Sequence, residues 1–283
     1  MTGLAATVII PTTGDRGPLL RHSVASVLGQ TVADLELFIV GDGVTPETRD
    51  VIEDLAAADP RVHFVDRPKH SRRGEPYRHQ LLTEQASGHV VAYLCDRDLW
   101  LPTHLEELAR CLDTADFAHT LRFRIDDQDQ YRFSHLVDLG GPDRERFLEP
   151  ARLVPLSFAG HTLEAYRRLP HGWRVTPEGT LTDRYMWNQF LEQPWVRAAH
   201  AAVPTVLYFK RGDHPGLSTA GRLELLERWA PRLTVAGGPE AVQREVLLAL
   251  WRAWREGEIR ERHLRSRWWR AAPRSLRRRL AGR

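Results

Sequence analysis

Cysteine is scarce in this chain, and long apolar runs are absent. Only Cys95 and Cys111 occur among 283 residues, too few for a disulfide framework or a set of metal-binding thiolates, so we expect two buried thiols. Apolar segments such as residues 90–94 are far shorter than the ~20 residues that cross a bilayer. The first residues also lack a basic segment followed by an apolar stretch. We therefore expect a cytoplasmic protein without a signal peptide or transmembrane helix.

Positive charge is concentrated at one end of the chain. The net charge is +3, and residues 258–283 hold ten arginines and two glutamates. That segment contributes +8, so the remainder has a net charge of −5, which argues against a nucleic-acid-binding body. Trp268 and Trp269 beside arginines are typical of a segment that lies on an anionic membrane. The alternatives are a disordered basic end or a helix packed on an acidic part of the body.

Strands and helices alternate along the first part of the chain. Buried apolar runs predict strands at residues 7–11, 35–40, 62–65 and 90–94, and helical periodicity with start and stop signals predicts helices at 19–28, 46–55, 77–86 and 102–112. This alternation predicts an α/β fold with a mainly parallel, Rossmann-like sheet flanked by helices. Its ligand site is expected at the C-terminal ends of the strands.

The second half of the chain is more mixed. The patterns predict strands at residues 117–124, 130–135 and 205–209, and helices at 163–168 and within 222–257. No internal repeat is present. The last helical stretch predicts a C-terminal helical extension of the sheet domain.

Four phrases in order, VIIPTT, SVLGQT, ELFIVGDG and AYLCDRDLWLP, resemble the family 2 glycosyltransferases, most closely the spore-coat polysaccharide type. The likeness covers roughly residues 5–215. It implies a GT-A-like fold, with a glycosyltransferase domain over 1–215 and a helical extension over 216–283. Within that domain, residues of about 1–115 would form the nucleotide-binding half and 116–215 the acceptor half.

The same resemblance implies an activity. It is the inverting transfer of a sugar from a nucleotide-sugar donor, expected to be UDP-linked, to a hydroxyl group of a saccharide, lipid-linked or other acceptor. The setting would be polysaccharide, envelope or glycoconjugate synthesis. The basic tail would bring such an enzyme to the inner face of the membrane as a peripheral protein.

Candidate nucleotide-binding residues follow the predicted strands. The resemblance places Thr12 near the uridine and lets Asp42 accept the base N–H, which a carboxylate is able to do. Arg16 and Arg78 are candidate ligands of the diphosphate. The family usually has two adjacent acids where this chain has Gly41 and Asp42, which leaves the choice of base open. Without the resemblance, Asp42-Gly43 is also an ordinary turn.

Asp96 and Asp98 follow the fourth predicted strand with the spacing of the family's Asp-x-Asp motif. The resemblance implies that Asp96 binds the nucleotide and that both carboxylates hold Mn²⁺ or Mg²⁺ against the diphosphate. Aligned on the following Leu-Trp-Leu-Pro, however, Arg97 occupies the usual position of a metal-binding acid. Either Asp98 binds the metal in a shifted register, or the guanidinium neutralises part of the diphosphate charge, or the site is impaired. A solvated turn is the simpler structural interpretation.

Asp183, in GTLTDRYMWNQF, matches the family's general base. In that role it removes the acceptor proton while the acceptor attacks opposite the departing diphosphate. An aspartate after Thr182 also suits a helix N-cap. His161, His214 and Trp100 are further candidate contacts to donor or acceptor, although such histidines more often cap or pack.

Two other classes of function stay open. A catalytically silent sugar-nucleotide-binding or scaffold protein would account for Arg97 and Gly41. A nucleotidyltransferase is disfavoured, because the first strand lacks the Gly-rich phosphate loop with Arg and Lys that the reaction needs.

Overall fold

The computed structural model describes residues 4–133, 138–141, 144 and 153–271. The strands are β1 (Ala6–Gly14), β2 (Leu35–Val44), β3 (Val62–Arg67), β4 (Val90–Tyr93), β5 (Leu99–Trp100), β6 (Phe117–Thr120), β7 (Phe123–Ile125), β8 (Tyr131–Phe133), β9 (Ala159–Thr162), β10 (Ala198–Ala201) and β11 (Val206–Leu207). The α-helices are α1 (Gly17–Leu28), α2 (Pro46–Ala58), α3 (Glu75–Glu84), α4 (His104–Leu112), α5 (Leu163–Arg168), α6 (Thr182–Leu191), α7 (Thr219–Trp229), α8 (Pro231–Thr234) and α9 (Gly238–Ala271).

Seven of the described strands form one mixed sheet in the order β10-β6-β9-β4-β1-β2-β3. β3, β2, β1 and β4 are parallel, and β9 runs antiparallel between β4 and β6. Val8, Ile9 and Ile10 of β1 are all fully buried, as expected for a central strand covered by helices on both faces. The predicted α/β fold with a mainly parallel mixed sheet is confirmed.

Several helices begin where the sequence carries a capping signal. Thr45 accepts a hydrogen bond from the Thr48 amide at the start of α2, with Pro46 in the first turn. Ser218 caps α7 in the same way. The predicted start of the third helix at residue 77 is wrong, because α3 begins at Glu75, directly after Gly74 with φ +64°.

Long-range pairing extends some strands and creates others. β1 and β2 run to Gly14 and Val44, beyond their predicted ends at residues 11 and 40, because the two segments continue to pair through a register shift after Thr12. β9 was not predicted at all. Its sequence AGHT has no strand periodicity, and it is held by partners in β4 and β6 that are distant in the chain.

The chain separates into two compact units, residues 1–243 and 244–283. Residues after 215 still belong to the first unit, since Thr219 Oγ1 donates to Asp15 Oδ2 at 3.0 Å and Gln243 Nε2 donates to the Pro204 carbonyl at 3.2 Å. The boundary between the two compact units therefore falls inside α9.

α9 continues through the second unit, where side chains are described as far as Glu261. The side chains of the predicted membrane-binding tail, among them Trp268 and Trp269, and the last two residues of the predicted strand 130–135 lie outside the described residues. Of the helices described, none combines the length and apolar character needed to cross a membrane.

Candidate active site

A cleft of about 420 Å³ opens where β1, β2 and β4 end, with α6 contributing to its wall. Parallel strands that end at one edge of a sheet bring their following loops together there. The cleft is lined by six of the residues proposed from the sequence, Thr12, Arg16, Asp42, Arg78, Asp96 and Asp183. The tertiary structure thus assembles side chains from separate parts of the chain into one polar site.

Asp42 is buried at the end of β2 and is paired on the cleft side. Its carboxylate accepts hydrogen bonds from Lys69 Nζ and from the His70 amide, both at 2.5 Å. Gly43 makes this approach feasible, because it has φ +63° and a Cβ there would lie 2.5 Å from the Lys69 Cβ. The end of β2 therefore holds at the cleft a carboxylate that is paired with a lysine.

Asp96 lies in the loop after β4 and is hydrogen-bonded to the end of β1 and to the residue before α1. Its carboxylate accepts from Thr12 Oγ1 at 3.0 Å and from Arg16 Nη1 at 3.0 and 3.3 Å. All three residues line the cleft. Because Asp96 is almost wholly buried, this pairing offsets the cost of removing its charge from water.

Arg78 is buried in the first turns of α3. Its guanidinium carbon lies 4.2 Å from the centroid of the Trp173 ring, and Nη2 donates to the Arg73 carbonyl at 3.2 Å. Burial lowers the pKa of Arg78, and the nearby Glu75 carboxylate raises it. The effect of burial is larger, so the pKa of Arg78 lies below its usual value. An arginine held in this way presents a fixed positive charge to the cleft.

Asp183 lies in the first turn of α6. The helix begins at Thr182 with Leu181 at the N-cap position, so the N-cap alternative for Asp183 is wrong. Its Oδ2 instead accepts from the Leu156 amide at 3.0 Å. Burial raises the pKa of Asp183, opposed in part by that amide and by Arg78, Arg97 and Arg73.

Asp98 lies outside the lining of the cleft. It is fully buried, with Oδ2 accepting from Ser157 Oγ at 2.5 Å and Oδ1 accepting from the Phe209 amide at 3.1 Å. Burial raises the pKa of Asp98, while Arg97 and Ser157 oppose the shift. This carboxylate ties the loop after β4 to two other segments, which is a structural role rather than the predicted contact with a metal.

The three candidate donor or acceptor contacts are also buried away from the cleft. His161 lies within β9, where Nε2 meets the Tyr93 hydroxyl at 2.8 Å and Nδ1 meets the Thr162 carbonyl at 3.0 Å. His214 Nε2 lies 3.0 Å from the Ile125 carbonyl. Trp100 Nε1 donates to the Ser157 carbonyl at 2.9 Å. The structure corrects these three predictions, because each of these polar ring atoms is satisfied inside the fold.

The donor set of the cleft does not fit a divalent metal ion. The described residues contain no group of three or more His, Cys, Asp or Glu side chains arranged to hold one. Asp96 is engaged by Arg16 and Asp98 is turned inward, while Arg97 lines the cleft between them. A guanidinium offers no lone pair to a cation. The geometry therefore gives no support to a Mn²⁺ or Mg²⁺ site on these two carboxylates.

Sequence reasoning passed over several residues that line the cleft, among them Lys69, Cys95 and Arg211. Lys69 follows β3 by two positions, so its place beyond the end of a parallel strand was the available signal. Arg211 begins the short 3₁₀ turn Arg211–Asp213 after β11. Burial raises the pKa of Cys95 to about 12, so this thiol is neutral at physiological pH.

Comparison with known proteins places this chain in one family. The family model described as glycosyl transferase family 2 matches residues 7–171, more than half of the chain. The chain belongs to glycosyl transferase family 2. The matched region contains β1 to β4 and the loops that carry Thr12, Asp42 and Asp96.

Two glycosyltransferases are similar to parts of the chain. An uncharacterized glycosyltransferase of Nostoc sp. (strain PCC 7120) is 34% identical over 100 residues, 34% of this chain and 30% of its own. The GalNAc(5)-diNAcBac-PP-undecaprenol beta-1,3-glucosyltransferase of Campylobacter jejuni is 30% identical over 101 residues, 36% of this chain and 32% of its own. The chain thus spans about a third of the length of these relatives.

A solved structure of the same architecture is S. aureus TarS 1-349 in complex with UDP-GlcNAc. It superimposes with a TM-score of 0.57 over 87% of this chain and 72% of its own, at 14% sequence identity. At that identity the likeness concerns the fold, and it confirms the GT-A-like architecture expected from the sequence.

Proposed function

We propose that this protein transfers a sugar from a nucleotide-sugar donor, UDP-linked by preference, to a hydroxyl acceptor with inversion of the anomeric centre. One observation carries the proposal. The Asp183 carboxylate, from the middle of the chain, lines the same cleft as Thr12, Asp42 and Asp96 at the strand ends. A base and a nucleotide-binding edge within one cleft are what sugar transfer needs.

The nucleoside is assigned to the end of the cleft near Thr12 and Asp42. The Asp42 carboxylate, which is paired with Lys69, accepts the imide N–H of uracil. Arg16, Arg78 and Arg97 face the diphosphate from the same lining. Charge-assisted hydrogen bonds from guanidinium groups suit phosphate oxygens.

Asp183 is assigned the proton transfer. It takes the proton of the acceptor hydroxyl while that oxygen forms a bond to the anomeric carbon. The bond from this carbon to the diphosphate breaks, and its electron pair leaves with the nucleoside diphosphate. Leu156 holds one carboxylate oxygen at 3.0 Å, which orients the other toward the acceptor. A carboxyl with a raised pKa is a better base than an ordinary aspartate.

The experiment is a test of donor turnover and donor binding in the same preparation. UDP-, GDP- and dTDP-sugars are offered to the full chain, and nucleoside diphosphate release is measured together with binding by calorimetry. We expect release from one donor class, its loss in Asp183→Asn with donor binding kept, and normal release in Glu192→Gln, an exposed acid at the end of α6. Binding without release before any substitution would support the silent sugar-nucleotide-binding alternative.

We further propose that the protein acts as a peripheral protein on an anionic membrane, where a lipid-linked acceptor is available. The described part of α9 carries exposed apolar side chains on one face, Leu247, Leu248, Trp251, Trp254 and Ile259, which are 45–62% exposed. The ten arginines of residues 258–283 give the charge that anionic lipid attracts. The undecaprenol in the name of the Campylobacter relative is consistent with such an acceptor.

Vesicle co-sedimentation tests this location. We expect binding to phosphatidylcholine vesicles only when phosphatidylglycerol is added, and release by salt, because the attraction is electrostatic. Trp251→Glu should weaken binding, whereas Ala253→Glu, with the same new charge on the opposite face of α9, should change it little. Equal effects of the two substitutions, or no binding to either vesicle, would refute the proposal.

A further inference from the structure

Arg97 occupies the centre of the acidic loop after β4. It lies between Asp96 and Asp98, and its side chain lines the cleft half-buried. The Nε atom of Arg97 is buried, and the described residues offer it no hydrogen-bond partner. Two other cations of the cleft are paired with carboxylates of the protein, Arg16 with Asp96 and Lys69 with Asp42.

A second buried arginine lies close enough to Arg97 for the two charges to interact. Arg222 of α7 is 8% exposed, and its Nη1 also has no partner among the described residues. Burial lowers the pKa of Arg222, and so do the neighbouring guanidinium groups of Arg97, Arg211 and Arg16, while the Asp96 carboxylate raises it. We refer to Arg16, Arg97, Arg211 and Arg222 as the cationic cluster.

The cationic cluster is short of negative charge. One of its four guanidinium groups, that of Arg16, is paired with Asp96, and the neighbouring Asp98 carboxylate is directed into hydrogen bonds with Ser157 and Phe209. Unpaired charges held close together in a partly buried place are unfavourable unless a ligand compensates them. A doubly or triply charged anion such as a nucleoside diphosphate would do so, whereas a divalent cation would add to the repulsion.

We propose that Arg97 takes the place of the divalent cation on the donor diphosphate, so that nucleotide binding and sugar transfer need no metal ion. This inference rests on the proposed function, since it names what neutralises the diphosphate of that donor. Arg97 then binds the phosphate oxygens and stabilises the negative charge that the leaving nucleoside diphosphate gains.

Calorimetric titration of the full chain with UDP and with uridine tests the inference. Both ligands share the base and ribose, and only UDP carries the phosphates. We expect UDP to bind equally well in EDTA and in Mn²⁺. In Arg97→Met the Kd for UDP should rise roughly tenfold to a hundredfold, the loss expected for a charge-assisted contact, while the Kd for uridine stays unchanged.

Two further variants sharpen the comparison. Arg97→Lys keeps a positive charge and should retain more UDP affinity than Arg97→Met. Arg110→Met makes the same substitution on an arginine of α4 that is 60% exposed and outside the cleft lining, and should bind both ligands normally. An unchanged affinity of Arg97→Met for uridine would show that the nucleoside site of this variant is still folded.

The outcomes separate this inference from the function on which it rests. UDP binding by the unaltered chain that requires Mn²⁺ would overturn the role of Arg97 and leave the glycosyltransferase proposal standing. Equal losses of UDP and uridine affinity in Arg97→Met, or no loss of either, would also overturn it. Failure of UDP, GDP and dTDP to bind in either buffer would refute the proposed function and this inference together.

Discussion

Asp183→Asn is the substitution that tests the chemistry most directly. It removes one ionisable group, while the amide oxygen of asparagine is still able to accept the hydrogen bond that the Leu156 amide donates at 3.0 Å. The shape of the cleft should therefore be kept. General base catalysis contributes about 10²–10⁴-fold to a rate, so turnover should fall by that factor, equivalent to roughly 2.7–5.4 kcal/mol in the activation barrier.

The pH dependence gives an independent measure of the same group. A general base works only when ionised, so the rate should rise with pH through the pKa of Asp183. Because burial raises that pKa above its ordinary value, activity should decline on acidification at a higher pH than an exposed aspartate would give. Asp183→Asn should lack this limb of the profile.

Thermal stability should move in the opposite direction to activity. A carboxyl whose pKa is raised by folding contributes stability that is fully present below its unfolded pKa, about 3.9, and is lost as pH rises through the folded pKa. Asparagine does not ionise and avoids that loss. The Tm of Asp183→Asn should therefore exceed that of the unaltered chain at neutral pH, with the difference shrinking toward acid pH.

Three measurements test whether Asp183 is the general base: nucleoside diphosphate release, the pH profile of that release, and the Tm at two pH values. Glu192→Gln, which removes an exposed carboxylate at the end of α6, serves as the control for the loss of one charge. Turnover within tenfold of the unaltered chain, with the same acidic limb in Asp183→Asn, would show that another group is the base.

Three further predictions concern the support of the cleft. Gly43→Ala should lower the free energy of unfolding by about 1–3 kcal/mol in denaturant titration, because φ is +63° and the new Cβ would lie 2.5 Å from the Lys69 Cβ; an unchanged midpoint would contradict this turn geometry. Ser157→Ala should cost about 1–3 kcal/mol in the same assay, since Asp98 Oδ2 loses the hydroxyl donor at 2.5 Å, and a neutral result would mean that another donor replaces it. Lys69→Met should change stability by less than about 1 kcal/mol, because Lys69 is 56% exposed, yet weaken uridine binding by disturbing Asp42; equal affinity in both proteins would refute that link.

Much of the fold was accessible from local pattern. The runs around Val8 and Leu37, the Pro46 start of α2 and the glycine and proline punctuation predicted alternating strands and helices, because burial period and capping are local properties. β9 and β10 were missed, since short strands of AGHT and AAHA exist only through partners far away in the chain. The ends of β1 and β2 were placed too early for the same reason.

The sequence, together with the family resemblance, also located Asp183 and five other cleft residues, Thr12, Arg16, Asp42, Arg78 and Asp96. The sequence did not show that Asp96 faces the cleft while Asp98 and His161 are buried inside the fold. Residue type and spacing do not reveal which direction a side chain faces. Only the tertiary structure decided this. It pairs Asp98 with Ser157 and Phe209 inside the fold, whereas the described residues offer no hydrogen-bond partner to the Nε of Arg97, which lines the cleft. Whether a polar group is available to a ligand depends on the hydrogen-bond partners that distant segments supply, and those are set by packing.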